Sequence, residues 1–269
     1  MSDSDEKKLA IALPGEWALK QAFGPVLGEL GEDMKKLYAL GRDKIILAGF
    51  KKITNKEDGQ SANLRVTRDV LWNGSFTDEE ICAEYFGGIL ASSRSKDGKD
   101  DTGVFYVDLI KSLSSNQLKL HYLIYFSFNK AFVSDPDKVK LNSGQESELA
   151  REKVFLSFMD ILQITGEKDI GRDLHALYSK GLIGNFQIKE HPLKNGKGTV
   201  PYIFAVPTSL GVQLYAVGHN KLDQWRDFSK TDFGDFESIN PPKFRAKNIK
   251  DLLTSAGIED EEEPTQKEN

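Results

Sequence analysis

The chain has 269 residues, of which 39% are hydrophobic, 29% charged and 10% aromatic, a balance that suits a globular protein with a sizeable core and excludes a fibrous or wholly disordered one. Its formal charge is −5, and residues 259–269 hold six acidic side chains and one lysine. The body before this tail is therefore formally neutral and points neither toward nor away from nucleic acid.

No apolar signal segment follows the polar start, residues 1–9, and a single cysteine, Cys82, cannot form an internal disulfide. The cytoplasm is the expected compartment. From Ala10 to Lys52 the pattern is helical, with a break at Gly24-Pro25, where proline suits a first helical turn. Leu27, Leu30, Met34, Leu37, Tyr38, Gly41 and Ile45 then recur at helical spacing, which predicts an amphipathic helix packed on the remaining domain. Its mixed-sign charges do not resemble the basic polar face of a membrane-surface helix.

Residues 54–61 read as a polar loop and 64–71 as a helix ending near Asn73-Gly74. Thr77-Asp78-Glu79-Glu80 matches a capping box that would open a helix through Ile81, Tyr85, Phe86, Ile89 and Leu90. Its carboxylates thus have a structural role; a catalytic pair requires two acids held across a cleft. Cys82 lies within that helix and reads as a packing residue. A charged loop (92–103) and a helix (104–112) follow. Ser114 and Gln117 form a second capping box, opening a helix dense in apolar residues, from Leu118 through Phe126. His121 within it reads as a packing histidine.

The polar stretch 134–148 marks a linker between an N-terminal helical domain, 10–133, and a second domain, 149–220. In the latter, helices are predicted at 149–164 and 170–179, the second stopped by Gly181. Strands follow at 186–191 and 200–206, joined through Asn195-Gly196 as a hairpin. Pro207-Thr208-Ser209 opens a last helix. The run 198–220 has no charged residue, but Pro201 and Pro207 interrupt it and argue against a membrane span. Residues 221–258 are expected to be partly ordered, and 259–269 a solvated acidic tail.

The predicted fold class is therefore mainly α, a helical domain followed by an α+β domain. The order of elements in the latter resembles a winged helix-turn-helix module. In such a module helix 170–179 is the recognition helix. Ile170, Leu174, Leu177 and Tyr178 are expected to fill its inner face, leaving Arg172, His175, Ala176 and Ser179 outward. Arg172 together with Lys189, Lys194 and Lys197 of the hairpin are the candidate nucleic-acid contacts. This is enough cation for a few phosphates but too little for a basic stripe. A protein partner is accordingly favoured over DNA.

No phosphate-binding loop, dinucleotide glycine pattern, paired Cys-x-x-Cys, zinc-binding His pattern or nucleophile elbow is present. No cofactor, metal or catalytic residue is expected, and an enzyme with a dispersed site ranks third among the functional readings.

The stretches Phe23-Gly24-Pro25-Val26-Leu27-Gly28-Glu29-Leu30-Gly31, Asn63-Leu64-Arg65-Val66, Thr77 to Ile81 with Gly88-Ile89-Leu90-Ala91-Ser92-Ser93, and Val107 to Ser114 resemble the bacterial abortive-infection alpha family, in the family's order, over roughly residues 20–125. Gly87-Gly88 and the charged loop 95–101 depart from that pattern. The resemblance implies a role in defence against phage, as a non-enzymatic component acting through macromolecular binding. A DNA-binding transcription regulator is the alternative.

Overall fold

The computed structural model describes residues 27–133, 149–167, 169–193 and 198–258. Helices predominate, with a small antiparallel sheet in the second half. Helix α1 (Leu27–Lys51) leads by a loop to α2 (Leu64–Gly74), whose first amides are capped by the Asn63 side chain. Helix α3 (Glu80–Ser92), α4 (Gly103–Ile110) and α5 (Ser115–Val133) complete the helical half. The two-residue strands β1 (Ser61–Ala62) and β2 (Arg94–Ser95) pair antiparallel.

The second capping box forms as expected. Ser114 Oγ accepts from the Gln117 amide at 3.2 Å, and Gln117 Oε1 accepts from the Ser114 amide at 3.0 Å. The first does not. Helix α3 starts with no side-chain cap on its Glu79 N-cap, while Thr77 Oγ1 accepts from the amide of Glu79. The carboxylates are taken by lysines of neighbouring helices instead, Glu80 by Lys44 at 2.6 Å and Glu79 by Lys119 at 3.0 Å. An interhelical ion pair has displaced the local cap.

After the linker the expected helix 149–164 is divided. Val154–Ser157 is a strand, β3, and only Phe158–Thr165 is helical, α6. The spacing of Val154, Phe155, Phe158, Ile161 and Leu162 fits both periods, and the tie is broken by pairing: β3 lies between two other strands and buries Val154 and Leu156. Ser157 then caps α6 by accepting from the Asp160 amide. Helix α7 (Ile170–Ser179), β4 (Ile183–Pro192), β5 (Thr199–Pro207) and α8 (Ser209–Gly218) follow. Gly181 adopts φ +69°, the left-handed stop read from sequence. Residues 221–258 supply a 3-10 helix (Leu222–Asp227), β6 (Arg245–Ala246) and α9 (Ile249–Ser255). All strands of the sheet are antiparallel, in the order β4-β5-β3-β6.

One hydrophobic core runs from Ile45 on α1 to Ile239, taking in both halves of the chain. The expected linker, 134–148, lies outside the described residues, but the elements on either side of it share this core. Phe228, Phe233 and Phe236 of the segment expected to be partly ordered are buried within it.

Consecutive glycines set how closely the helices approach. A Cβ on Gly87 would stand 2.6 Å from the backbone nitrogen of Gly49 on α1; one on Gly88 would stand 2.1 Å from the carbonyl oxygen of Gly218 on α8. Helix α3 is thus clasped on two faces by backbone rather than by side chains. This accounts for glycine at both positions, where any side chain would meet backbone. Backbone cannot yield as a side-chain tip can, so Gly88→Ala should lower stability by about 1–3 kcal/mol, despite the intrinsic helix preference of alanine. Gly171→Ala on α7, where the nearest atom would be 3.6 Å away, should be neutral or stabilising by up to about 1 kcal/mol. Urea unfolding of the two variants measures the contrast.

Candidate macromolecule-binding face

Helix α7 is opened by Asp169, whose Oδ1 accepts from the Arg172 amide at 3.0 Å. Ile170, Leu174 and Leu177 face the core as expected, but the fourth inward residue is Asp173, 2% exposed, whereas Tyr178 is 54% exposed. Asp173 is three residues from Ile170 and four from Leu177, so it lies nearer the centre of the apolar stripe than Tyr178. Its polarity hides this in the sequence. The buried carboxylate is satisfied by Gln117 Nε2 of α5 at 3.1 Å, and burial raises its pKa above the usual carboxylate value.

That burial changes what Arg172 can do. The guanidinium sits 3.0 Å from Glu167 Oε2 and 3.7 Å from Asp173 Oδ1, so two carboxylates compensate the one outward arginine. Lys189 is exposed on β4 but does not share a face with α7. Phe186 lies against His175 with ring centroids 4.9 Å apart, and Ile188 reaches within 3.7 Å of where a Cβ on Gly171 would stand. Side chains alternate along a strand, so Gln187 and Lys189 point to the opposite face. Lys194 and Lys197 lie outside the described residues.

What α7 and β4 do present together is aromatic and apolar. Tyr178 packs edge-on to Phe186 at 6.1 Å, and Ile188, 42% exposed, continues the patch along the strand. The periodicity of α7 places its stripe, but which β4 residues stand beside it depends on the pairing register with β5.

No family model, no curated protein and no solved structure matches this chain.

A second concave place is engaged structurally in part. A cleft of about 570 Å³ is lined in part by Asp78, Glu79, Glu80, Lys119, Asp160 and Lys243. Glu79 and Glu80 are paired with lysines as described, and Asp160 Oδ2 accepts from the Phe244 amide at 2.7 Å. Among the described residues no three His, Cys, Asp or Glu side chains are grouped to hold a metal ion, and no helix is long and apolar enough to cross a membrane. Burial raises the Cys82 thiol to about 11, which removes thiolate character at neutral pH.

Two histidines lie in an aromatic cluster of the core. His121 bonds through Nδ1 to the Tyr85 hydroxyl at 2.5 Å and through Nε2 to the Gly211 carbonyl at 3.2 Å. The carbonyl can only accept, so Nε2 carries the proton. His219 donates from Nδ1 to the Tyr215 carbonyl at 2.9 Å and stacks on Phe236 at 4.4 Å. Burial holds both at a pKa of about 3, below the ordinary 6.5. A depressed histidine pKa means that the unfolded chain binds protons first, so stability falls as pH drops from 6.5 toward 3. The loss approaches about 1.4 kcal/mol per pH unit for each ring. His219→Phe preserves the stacking and removes one titrating group; urea midpoints measured between pH 7 and pH 4 should show its acid limb less steep than the parent's by about that amount.

Proposed function

We propose that this chain is a non-enzymatic component of bacterial anti-phage defence that acts by binding a protein partner through the face of α7 and β4. The observation that carries the binding mode is the chemistry of that face. Its arginine is compensated by Glu167 and Asp173, while Tyr178 and Ile188 stand exposed beside Phe186. A patch of aromatic and aliphatic residues with little uncompensated charge suits a protein surface better than a phosphate backbone. The defence role rests on the resemblance of residues 20–125 to the abortive-infection alpha family.

The order β3, α6, α7, β4, β5, with β3 returning alongside β5, supports reading residues 149–220 as a winged helix-turn-helix unit. The same order sustains a second reading, a DNA-binding transcription regulator with α7 in the major groove. In that reading Arg172 is a weakened contact, and Lys189, Lys194 and Lys197 carry the phosphate interactions.

Expression of the gene with its native neighbours should confer resistance to some phages. Tyr178→Ala should leave stability within about 0.5 kcal/mol of the parent, because the ring is half exposed, yet abolish most of the protection. Leu123→Asp, at a fully buried position, should lose protection by unfolding. Full protection from a folded Tyr178→Ala protein would remove the α7–β4 face from the function. For the second reading the measurement is DNA binding at low salt: Lys194→Ala with Lys197→Ala should lower the salt slope by about two, and a parent that binds no DNA there eliminates the regulator.

A further inference from the structure

Strand β4 is ten residues long and lies at one side of the sheet. Among the described residues no strand pairs with its outer edge. Such an edge offers a row of backbone donors and acceptors to an extended chain, and proteins usually shorten or guard it. The guards here, Lys189 and Pro192, stand toward one end, leaving the portion around Phe186, Gln187 and Ile188 open.

We infer that β4 pairs antiparallel with β4 of a second copy, about a two-fold axis through Gln187, joining two four-stranded sheets into one. This rests on the α7–β4 face being a protein-binding surface and names its occupant.

Parity limits the register, and side-chain pairing selects within it. Directly opposed residues in an antiparallel sheet lie on the same face. Two copies related by an axis normal to the sheet therefore oppose residues whose numbers differ by an even amount, and the axis passes through a residue. Centred on Lys189 or Glu190, it sets a charge against its own copy, which is unfavourable. Centred on Ile188, it places Glu190 opposite Phe186. Centred on Gln187, Phe186 meets Ile188 of the second copy twice by symmetry, Asn185 meets Lys189, and no like charges oppose one another. The apolar pairs fall on the face where Tyr178 and Ile188 are exposed, so the pairing would cover them.

Gln187 supplies a second, independent sign. Its Oε1 is shielded from solvent and accepts no hydrogen bond. A carboxamide is both donor and acceptor, so two of them opposed across the axis can satisfy each other. Turning the amide toward its cross-strand neighbour gives this oxygen the partner it lacks within one chain.

The test uses the full chain, whose one native cysteine is buried. Light scattering across a concentration series should give the mass of a dimer. On mild oxidation Gln187→Cys should cross-link at least about tenfold faster than Lys189→Cys, because the 187 positions face each other while the 189 positions are offset by roughly 13 Å, beyond disulfide reach. Ile188→Glu, at an exposed position, should weaken dimerisation at least about tenfold by placing two carboxylates diagonally on one face. A monomer mass at every concentration overturns the inference; equal cross-linking of the two cysteine variants overturns the register. A monomer that still captures another protein, with capture lost in Tyr178→Ala, would remove the second copy as occupant while sparing the proposed binding face.

Discussion

Because ten consecutive residues of α5, Leu120 to Asn129, are buried, every polar group on that stretch must find its partner inside the protein, and those partners determine how the halves are joined. Tyr125 Oη donates to the Leu182 carbonyl at 2.6 Å and accepts from the Thr208 amide at 2.9 Å. Asn129 donates to the carbonyls of Phe228 and Thr231, both at 2.8 Å, and the Phe236 amide donates to the Tyr122 hydroxyl at 3.0 Å. An unmet polar group in such an environment costs about 1–3 kcal/mol. The loops before and after α8 are therefore fixed by side chains from the N-terminal half. Gly211 belongs to the same arrangement, since a Cβ there would stand 2.0 Å from the Tyr125 hydroxyl oxygen.

The same helix positions α7. Gln117, in the first turn of α5, holds the buried Asp173 of α7, and Asn116 beside it donates to Glu167 at 3.1 Å. These are the two carboxylates that compensate Arg172. The electrostatic character of α7 is thus set partly from the helical half of the chain, and the face keeps its aromatic character because its cation is spoken for. A change in the packing of α5 would alter both the seating of α7 and the charge it presents.

Close backbone approach around α3 gives the helical half little freedom to adjust. With α1 and α8 each against a glycine of α3, and the Lys52–Glu84 ion pair and the Asn220 side chain tying the end of α1 to α3 and α8, rigid elements carry strain rather than absorb it. The outer strand β4 is different. Among the described residues it pairs along one edge, with β5, and its register slips between Ile183 and Phe186.

By itself the sequence determined many of the elements: helices α1 to α5, α7 and α8, the Ser114–Gln117 cap, the hairpin strands and the Gly181 stop were legible because local periodicity, capping chemistry and turn residues all pointed one way, whereas α9 lies in a segment expected to be only partly ordered. It also determined what chemistry is absent from its motifs. Tertiary structure decided the rest. Val154 to Ser157 became a strand because two neighbouring strands were there to pair with it, and the Thr77 cap was lost to lysines on α1 and α5. Asp173 went inward because Gln117 was waiting for it. Neither the neutralisation of Arg172 nor the separation of Lys189 from α7 could be read in advance. The first depends on Asn116 and Gln117 of α5 holding the two carboxylates beside Arg172, the second on the register of a sheet, where a one-residue change would turn every β4 side chain to the other face.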